Sequence, residues 1–348
     1  QRIEPEWYMP IIPVVLVNGA EGIGTGWSTS IPNYNPRDIV DNIKRLMRGE
    51  SQVPMAPWYK GFKGSITEVQ GKPGSYTITG CYEQSDEGLE ITELPVRKWT
   101  QDYKEFLEGM IKPENKNETP TVVDYKEFHT DTTVHFSVSF APGKLPEVVA
   151  AGIEKKLKLQ TSLSTGNMML WDKNGVIRRY DTPEDIIEEF YGFRLEHYEK
   201  RRASLIQCAE AELLRLSNRM RFILEVIGGQ LVVNNRRKKD IEADLEARGY
   251  DKLANKKKGA AAAPAPGEDR DEEAAEMADH ATFDYLLSMP IWSLTLERVQ
   301  ALRDESENQA TEVERLKGTA AEVMWTEDLD QFLEALSEKE QEEEKLAA

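Results

Sequence analysis

Ala209-Glu210-Ala211-Glu212-Leu213-Leu214-Arg215-Leu216-Ser217-Asn218-Arg219-Met220-Arg221-Phe222-Ile223-Leu224-Glu225-Val226-Ile227 is the stretch whose reading decides the fold. Ala209, Leu213, Leu216, Met220, Ile223 and Ile227 follow alternating steps of four and three. That spacing lays one apolar seam along a helix for a second helix to cover. Upstream, Thr182 is placed to cap a helix with Pro183 at its first position, and no breaker intervenes before Gly228-Gly229. At 1.5 Å per residue such a helix is roughly 65 Å long, far more than a compact domain requires. The alternation returns at Val299, Leu302, Ser306, Gln309, Val313 and Leu316, with two polar lapses. One chain supplies both segments and the region between them must turn back, so the expectation is an antiparallel intramolecular pair rather than a zipper between chains.

The turn-around region contains a predicted helix, Lys239 to Arg248, and an apolar block from Phe283 to Leu296. Local helices or a second copy of the chain can cover that block, and the second copy is expected. Between them, Asn255 to His280 is a run of Lys, Ala, Pro, Glu and Asp with too little apolar surface to fold, expected to be a disordered loop. Beyond Gly318 a last short helix is predicted over Glu327 to Leu336, carrying Leu329, Phe332, Leu333 and Leu336. The acidic stretch Glu338 to Lys345 is expected to fray.

The first half reads differently. Prolines at 5, 10 and 13 predict an extended Ile3 to Val17, with Val14 to Val17 strand-like. Asn35 can cap a helix that starts at Pro36, carries Ile39, Val40, Ile43, Leu46 and Met47 on one face, and ends near Gly49. From Val53 to Phe140 the pattern is one of short strands, with alternation over Ser75 to Cys81 and Thr132 to Phe140, interrupted by a helix from Thr100 to Met110. Residues 158 to 180 read as a second strand-rich unit, in which Asn174-Gly175 marks a hairpin turn. The fold class is α+β: a mixed α/β module followed by long paired helices.

The net charge of −18 argues on its face against a nucleic-acid partner, since phosphate binding is driven by Lys and Arg. The charge is unevenly placed, however. Residues 1–182 hold 21 Lys and Arg against 24 Asp and Glu, a net of −3, and the remainder holds 23 against 38, a net of −15. A DNA-facing surface is therefore expected in the first half, where Lys155, Lys156, Lys158, Arg178 and Arg179 make local basic clusters, although such clusters are more often plain solvated surface. Cys81 and Cys208 lie far apart without metal-ligand company, which suggests neither a disulfide scaffold nor a zinc site and fits a reducing compartment. No apolar run of about 18 residues and no signal-like N-terminus appear, so a soluble chain without a membrane partner is expected.

One motif in that half points to chemistry. Asn18-Gly19-Ala20-Glu21-Gly22-Ile23-Gly24-Thr25-Gly26-Trp27-Ser28 holds a branched apolar side chain between two glycines. A P-loop requires Lys and Ser or Thr after its last glycine, where Trp27 stands. A dinucleotide fingerprint requires a different glycine spacing and a following helix, where Ser30-Ile31-Pro32 stands. Three readings stay open from the residues alone: a structural turn, a backbone contact with a ligand, and an apolar wedge of the kind that unstacks base pairs.

Several segments together resemble the eukaryotic DNA topoisomerase II family. They are Glu4-Pro5-Glu6-Trp7-Tyr8, the Asn18 to Ser28 run, Glu93-Leu94-Pro95-Val96-Arg97 with Trp99-Thr100, His129-Thr130-Asp131-Thr132-Thr133, and Lys158-Leu159-Gln160-Thr161-Ser162-Leu163. The resemblance covers nearly the whole chain outside 255–280. It implies the later part of a DNA-cleavage core: residues 1–34 ending a winged-helix region with a DNA-intercalating loop, 35–157 a tower domain, and 158–182 a DNA-contacting ribbon. Residues 183–229 would then be the first coiled-coil helix, 230–296 a small helical C-gate domain at its tip that includes the 255–280 loop, and 297–348 the returning helix with a terminal helix. It further implies that Ile23 intercalates and bends the gate duplex, that Asn18, Gly22, Gly24 and Trp99 lie against DNA, and that the ribbon Lys158, Leu159, Gln160, Thr161, Ser162, Leu163, Ser164, Thr165, Gly166 and Asn167 contacts it. After Leu163 the sequence departs from relatives, which place other small polar residues at Ser164 to Asn167.

That family cuts both strands through a tyrosine aided by an arginine and by magnesium on acidic residues, all preceding the Glu-Pro-Glu-Trp-Tyr motif. The resemblance thus implies no catalytic residue, no metal ligand and no cofactor in this stretch, with Mg2+ and ATP belonging to the full-length enzyme. Double-stranded DNA, a homodimer partner at the C-gate and a nuclear location are implied with them. Arg179-Tyr180 imitates a catalytic pair but follows in the wrong order, and Asp269 with Asp271 imitates a metal site inside the 255–280 run. Two alternatives of another class are an architectural DNA-bending protein and a coiled-coil dimerisation module.

Overall fold

The computed structural model describes residues 4, 8–85, 88–112, 120–130, 132–254, 281–290 and 295–347. The chain divides into two compact units, residues 1–193 and 194–348. The run from 255 to 280, with Asp269 and Asp271, lies outside the described residues.

In the first unit, α1 (Val14–Asn18) follows Pro13 directly and leads into a hairpin of β1 (Ala20–Ile23) and β2 (Ser28–Ile31). The extended reading of Val14 to Val17 is corrected here. The prolines that oppose helix end at Pro13, and a proline disturbs the turn it sits in rather than the one after it. In α2 (Pro36–Met47), the Asn35 side chain accepts from the Arg37 amide, and Ile39, Val40 and Ile43 are buried. Asn42 on the same helix is buried and doubly satisfied, donating to the Val53 carbonyl at 2.9 Å and accepting from its amide at 2.8 Å.

Two antiparallel sheets follow. The first pairs β3 (Ser65–Glu68), β4 (Ser75–Thr79) and β9 (Gln160–Ser164), so the predicted ribbon is an edge strand of a sheet begun 95 residues earlier. The second runs in the order β5 (Cys81–Gln84), β6 (Gly88–Glu93), β8 (Phe136–Phe140), β7 (Val122–Glu127). Alternation along β6 and β8 sends Leu89, Ile91, Phe136 and Val138 to one face. There Tyr103 and Leu107 of α3 (Thr100–Ile111), Val148 of α4 (Lys144–Ala151) and Ile153 of α5 (Ile153–Lys156) cover them. The opposite face is polar: the Ser137 hydroxyl and the His135 ring both bond the Glu90 carboxylate, whose pKa is held low chiefly by the Ser137 bond. The alternation predicted from Thr132 narrows to Phe136–Phe140, because Thr130 and Thr133 bond each other in a turn. A second hairpin, β10 (Met168–Trp171) with β11 (Ile177–Tyr180), turns at Gly175.

The long helix is present as α6 (Pro183–Ile227), opened by a reciprocal cap in which Thr182 and Asp185 each accept from the other's amide. Its second half belongs to the second unit and packs on α9 (Leu296–Gly318). Leu216 and Ile223 meet Val299 and Leu302, while Ala209 meets Val313 and Leu316. Numbers rise on one helix as they fall on the other, so the pair is antiparallel. The polar lapse at Gln309 is occupied, its amide donating to the Ala209 carbonyl at 3.2 Å. Ile227 departs from the predicted seam and is 43% exposed. At that level α6 turns Phe222 and Val226 into a different cluster.

That cluster takes in the first part of the apolar block. Phe283, Tyr285 and Leu286, around α8 (Asp284–Leu287), are buried by their own chain against Phe222, Leu231 and Ile241 and Leu245 of α7 (Lys238–Ala247). Local helices therefore cover this part of the block. β12 (Leu253–Ala254) pairs with β13 (Ala281–Thr282), so the residues flanking the 255–280 run stand side by side. The last helix is also longer than predicted. α10 spans Ala321–Ala347, so Glu338 to Lys345 continue it rather than fray. Its Glu, Gln, Lys, Leu and Ala are strong helix formers with no breaker among them.

Candidate nucleic-acid interface

In the β1–β2 hairpin Ile23 stands directly opposite Ser28, and the Gly24 amide donates to the Trp27 carbonyl at 2.8 Å to close the tip. Gly26 takes φ +84° in that turn, a conformation glycine adopts without strain. At the base, Gly19 has φ +66°, and a Cβ there would stand 2.6 Å from the Asn33 side-chain oxygen. The hairpin thus depends on glycine at both ends. Ile23 is 93% exposed and Trp27 is 55% exposed on the same tip. Leaving a full Ile side chain in water forgoes about 2 kcal/mol of burial, an unusual use of a β-branched residue in a formed strand. Asn18, Gly22 and Gly24 are likewise exposed.

The stretch from Lys158 to Asn167 splits into two faces. Lys158, Gln160, Ser162 and Ser164 are exposed, whereas Leu159, Leu163 and Thr165 are buried and Thr161 lies between these extremes. The period of two explains this, since β9 shows one face to solvent and packs the other. Lys158 occupies a left-handed position with φ +51° at the end of α5. There the Leu159 amide reaches the Glu154 carbonyl at 2.9 Å, a helix-ending turn that ordinarily carries glycine. Its amino group lies 4.3 Å from the centre of the Phe106 ring. Gly166 and Asn167 are exposed, but the Asn167 amide is engaged with Ser28 of the hairpin at 2.9 Å.

Trp99 precedes α3 and is 73% exposed. The turn before it, closed by the Lys98 amide on the Pro95 carbonyl, holds Arg97 at φ +70°, unusual for a residue with a side chain. From there Arg97 forms an ion pair with Glu21 of β1 at 3.1 Å. The structure therefore brings the glycine run and the Trp99 segment together. Sequence reasoning passed over Arg97, Glu21 and Trp27 as site residues. An exposed aromatic inside a glycine-rich tip was a legible signal for Trp27, and nothing local announced the ion pair.

Tyr180 is buried, and its hydroxyl donates to Glu189 at 2.8 Å. Burial and that carboxylate both raise its pKa. A phenol held neutral and engaged in this way is a poor nucleophile, and Arg179 is turned to Asp181 at 3.5 Å. Cys81 and Cys208 are free thiols. Among the described residues no group of three or more His, Cys, Asp or Glu side chains stands ready to hold a metal, and no helix is long and apolar enough to cross a membrane. The donor set of the described residues does not fit a magnesium ion.

The fold is α+β, a strand-rich unit presenting an exposed apolar tip followed along the chain by long paired helices. The family of the DNA gyrase/topoisomerase IV A-type subunits matches residues 1–330, and the chain belongs to it. It is 45% identical to DNA topoisomerase 2 of Arabidopsis thaliana over 98% of its own length, and 44% identical to DNA topoisomerase 2-alpha of Homo sapiens over 99%. It spans about a quarter of the length of these relatives, 24% and 23%. Among solved structures it is similar to the DNA-binding, cleavage and re-ligation domain of Plasmodium falciparum topoisomerase II. The TM-score is 0.84 at 41% identity, covering 100% of this chain and 47% of that one.

Proposed function

We propose that this chain is the part of a eukaryotic type II DNA topoisomerase that binds and bends the duplex to be opened, and that its paired helices form a coiled coil leading to a dimeric exit gate. The observation that carries this reading is Ile23, nearly fully exposed at the end of a formed strand. Insertion of such a side chain between base pairs unstacks them at a cost of a few kcal/mol, offset by further phosphate contacts around the bent path. Lys158, with Gln160, Ser162 and Ser164 on the exposed face of β9, supplies contacts beside the wedge, and Trp99 supplies an aromatic edge. Leu159, Leu163 and Thr165 support that surface from below and offer DNA only their backbone.

In the complete enzyme this bending precedes strand cleavage by groups that the family places ahead of Glu4, with Mg2+ and ATP acting there. Passage of a second duplex, homodimerisation at the gate and work in the nucleus follow from the same reading. The test is energy transfer between dyes at the two ends of a short duplex. Ile23→Ala is expected to keep the fold and lose most of the bend, and a duplex bent as strongly by the variant as by the parent chain overturns the wedge.

A further inference from the structure

The cross-strand partner of Ile23 is held by a residue outside the glycine run. Ile23 is paired across the hairpin with Ser28. The Ser28 hydroxyl accepts a hydrogen bond from the Asn167 side-chain amide at 2.9 Å, 139 residues away in sequence. The same residue takes hold of the next position but one, since the Ser30 amide donates to the Asn167 carbonyl at 2.8 Å, and the Met169 amide donates to the Thr29 hydroxyl at 3.1 Å. Three successive residues of β2 are thus tied to Asn167 and to Met169 of β10. On the other edge, β1 is held by the ion pair of Glu21 with Arg97, whose side chains are 61% and 45% exposed. An ion pair that wet contributes little and weakens with salt.

An apolar wedge is useful only if it cannot recoil. A two-stranded hairpin by itself is marginal in water, and a glycine-rich one has more conformational freedom to lose. A force that pushes Ile23 between base pairs pushes back on its cross-strand partner. The side-chain bond that anchors this partner to the rest of the unit comes from the Asn167 amide.

We propose that Asn167 is a positioning residue for Ile23: its amide, by holding Ser28, fixes the hairpin so that the wedge is presented rigidly to DNA, and couples it to the DNA-facing strand β9. This rests on the wedge reading of Ile23. Asn167 itself is then not a DNA contact, because its amide is spent within the protein. Asn167→Ala keeps the backbone bond to Ser30, so the hairpin still forms but its tip is loose.

The experiment measures bending, unstacking, affinity and its salt slope on the 348-residue chain and its variants Ile23→Ala, Asn167→Ala, Ser28→Ala and the Asn167→Ala/Ser28→Ala double. Bending of the bound duplex is read by end-to-end energy transfer, with 2-aminopurine fluorescence reporting unstacking at the bend. The salt slope of binding counts the phosphates neutralised. The expected result is that Asn167→Ala and Ser28→Ala each lose at least half of the bending and unstacking signals that Ile23→Ala loses, that the double variant loses no more than either single, and that the salt slope is unchanged. Full bending by Asn167→Ala beside a defective Ile23→Ala overturns the positioning role while leaving the wedge intact. Additive losses in the double variant overturn it also, as does a tenfold loss of affinity with the bend of the bound duplex preserved, which would make Asn167 a direct contact. Full bending by Ile23→Ala removes the wedge reading and this inference with it.

Discussion

The Tyr198 hydroxyl donates to the Asp328 carboxylate at 2.6 Å, joining α6 to α10 within the second unit. The Arg201 guanidinium bonds the same carboxylate oxygen at 2.6 Å, and the Tyr198 ring stacks on Trp325 with centroids 5.4 Å apart. Burial on its own would raise the Asp328 pKa, but the bonds from Tyr198 and Arg201 outweigh it and hold the carboxyl below its ordinary value of 3.8. A carboxyl whose folded pKa is depressed stabilises the fold above its unfolded value, and that stability is lost as pH falls through the folded value. Asp328→Asn is therefore expected to cost about 1 to 3 kcal/mol at neutral pH. The gap to the parent chain should close below pH 3.8. Urea unfolding across the acid range checks this, and a pH-independent gap contradicts it.

The seam offers a paired comparison. Ile223 is fully buried where α6 meets α9, whereas Ile227, one step further along the same sequence pattern, is 43% exposed. Truncation of Ile223 to Ala is expected to cost about 3 kcal/mol or more through lost burial and a residual cavity. Ile227→Ala should cost about 1 kcal/mol or less. Denaturant midpoints decide between this and the uniform seam of the sequence pattern, in which both cost alike.

At Lys158 stability and binding pull in opposite directions. A side chain in the left-handed region costs roughly 1 to 2 kcal/mol relative to glycine. Lys158→Gly should accordingly be more stable than Lys158→Ala by about 1 kcal/mol, since both lose the same contact with Phe106. Both variants should lower the salt slope of duplex binding by about 1, the signature of a lost phosphate contact. An unchanged slope would place Lys158 with Phe106 rather than with DNA.

The wedge is expected to be free of structural duty. Ile23→Ala should leave the thermal midpoint unchanged, with a stability change within about 0.5 kcal/mol, because the side chain is 93% exposed. Tyr180→Phe supplies the contrast. It removes the bond to Glu189 at 2.8 Å and should cost about 1 kcal/mol, with no effect on duplex binding. A larger binding defect in Tyr180→Phe than in Ile23→Ala would assign the two residues the other way round.

Local rules made much of this protein legible. Asn35-Pro36, Thr182-Pro183 and Gly228-Gly229 announced helix ends because capping and breaking depend on neighbours a few residues away. The four-three alternation announced the antiparallel pairing of α6 with α9, and the glycines around Ile23 announced an exposed tip, for the same reason. Elsewhere the local rules had no purchase. Whether Phe283, Tyr285 and Leu286 are covered by their own chain or by another depends on where α7 stands. Which residues of the Lys158 to Asn167 stretch face solvent depends on β9 joining β4 in one register rather than the next, since a slip of one residue exchanges the faces. Sequence by itself determined the long helix and its seam, the helix ends marked by caps and glycine breakers, and the placing of an apolar side chain among glycines, but not the helix at Val14–Asn18 or the full length of α10. Only the tertiary structure decided that Ser28 is held by Asn167 and Glu21 by Arg97. Such bonds join residues distant along the chain, and their partners are chosen by packing, which no local periodicity records.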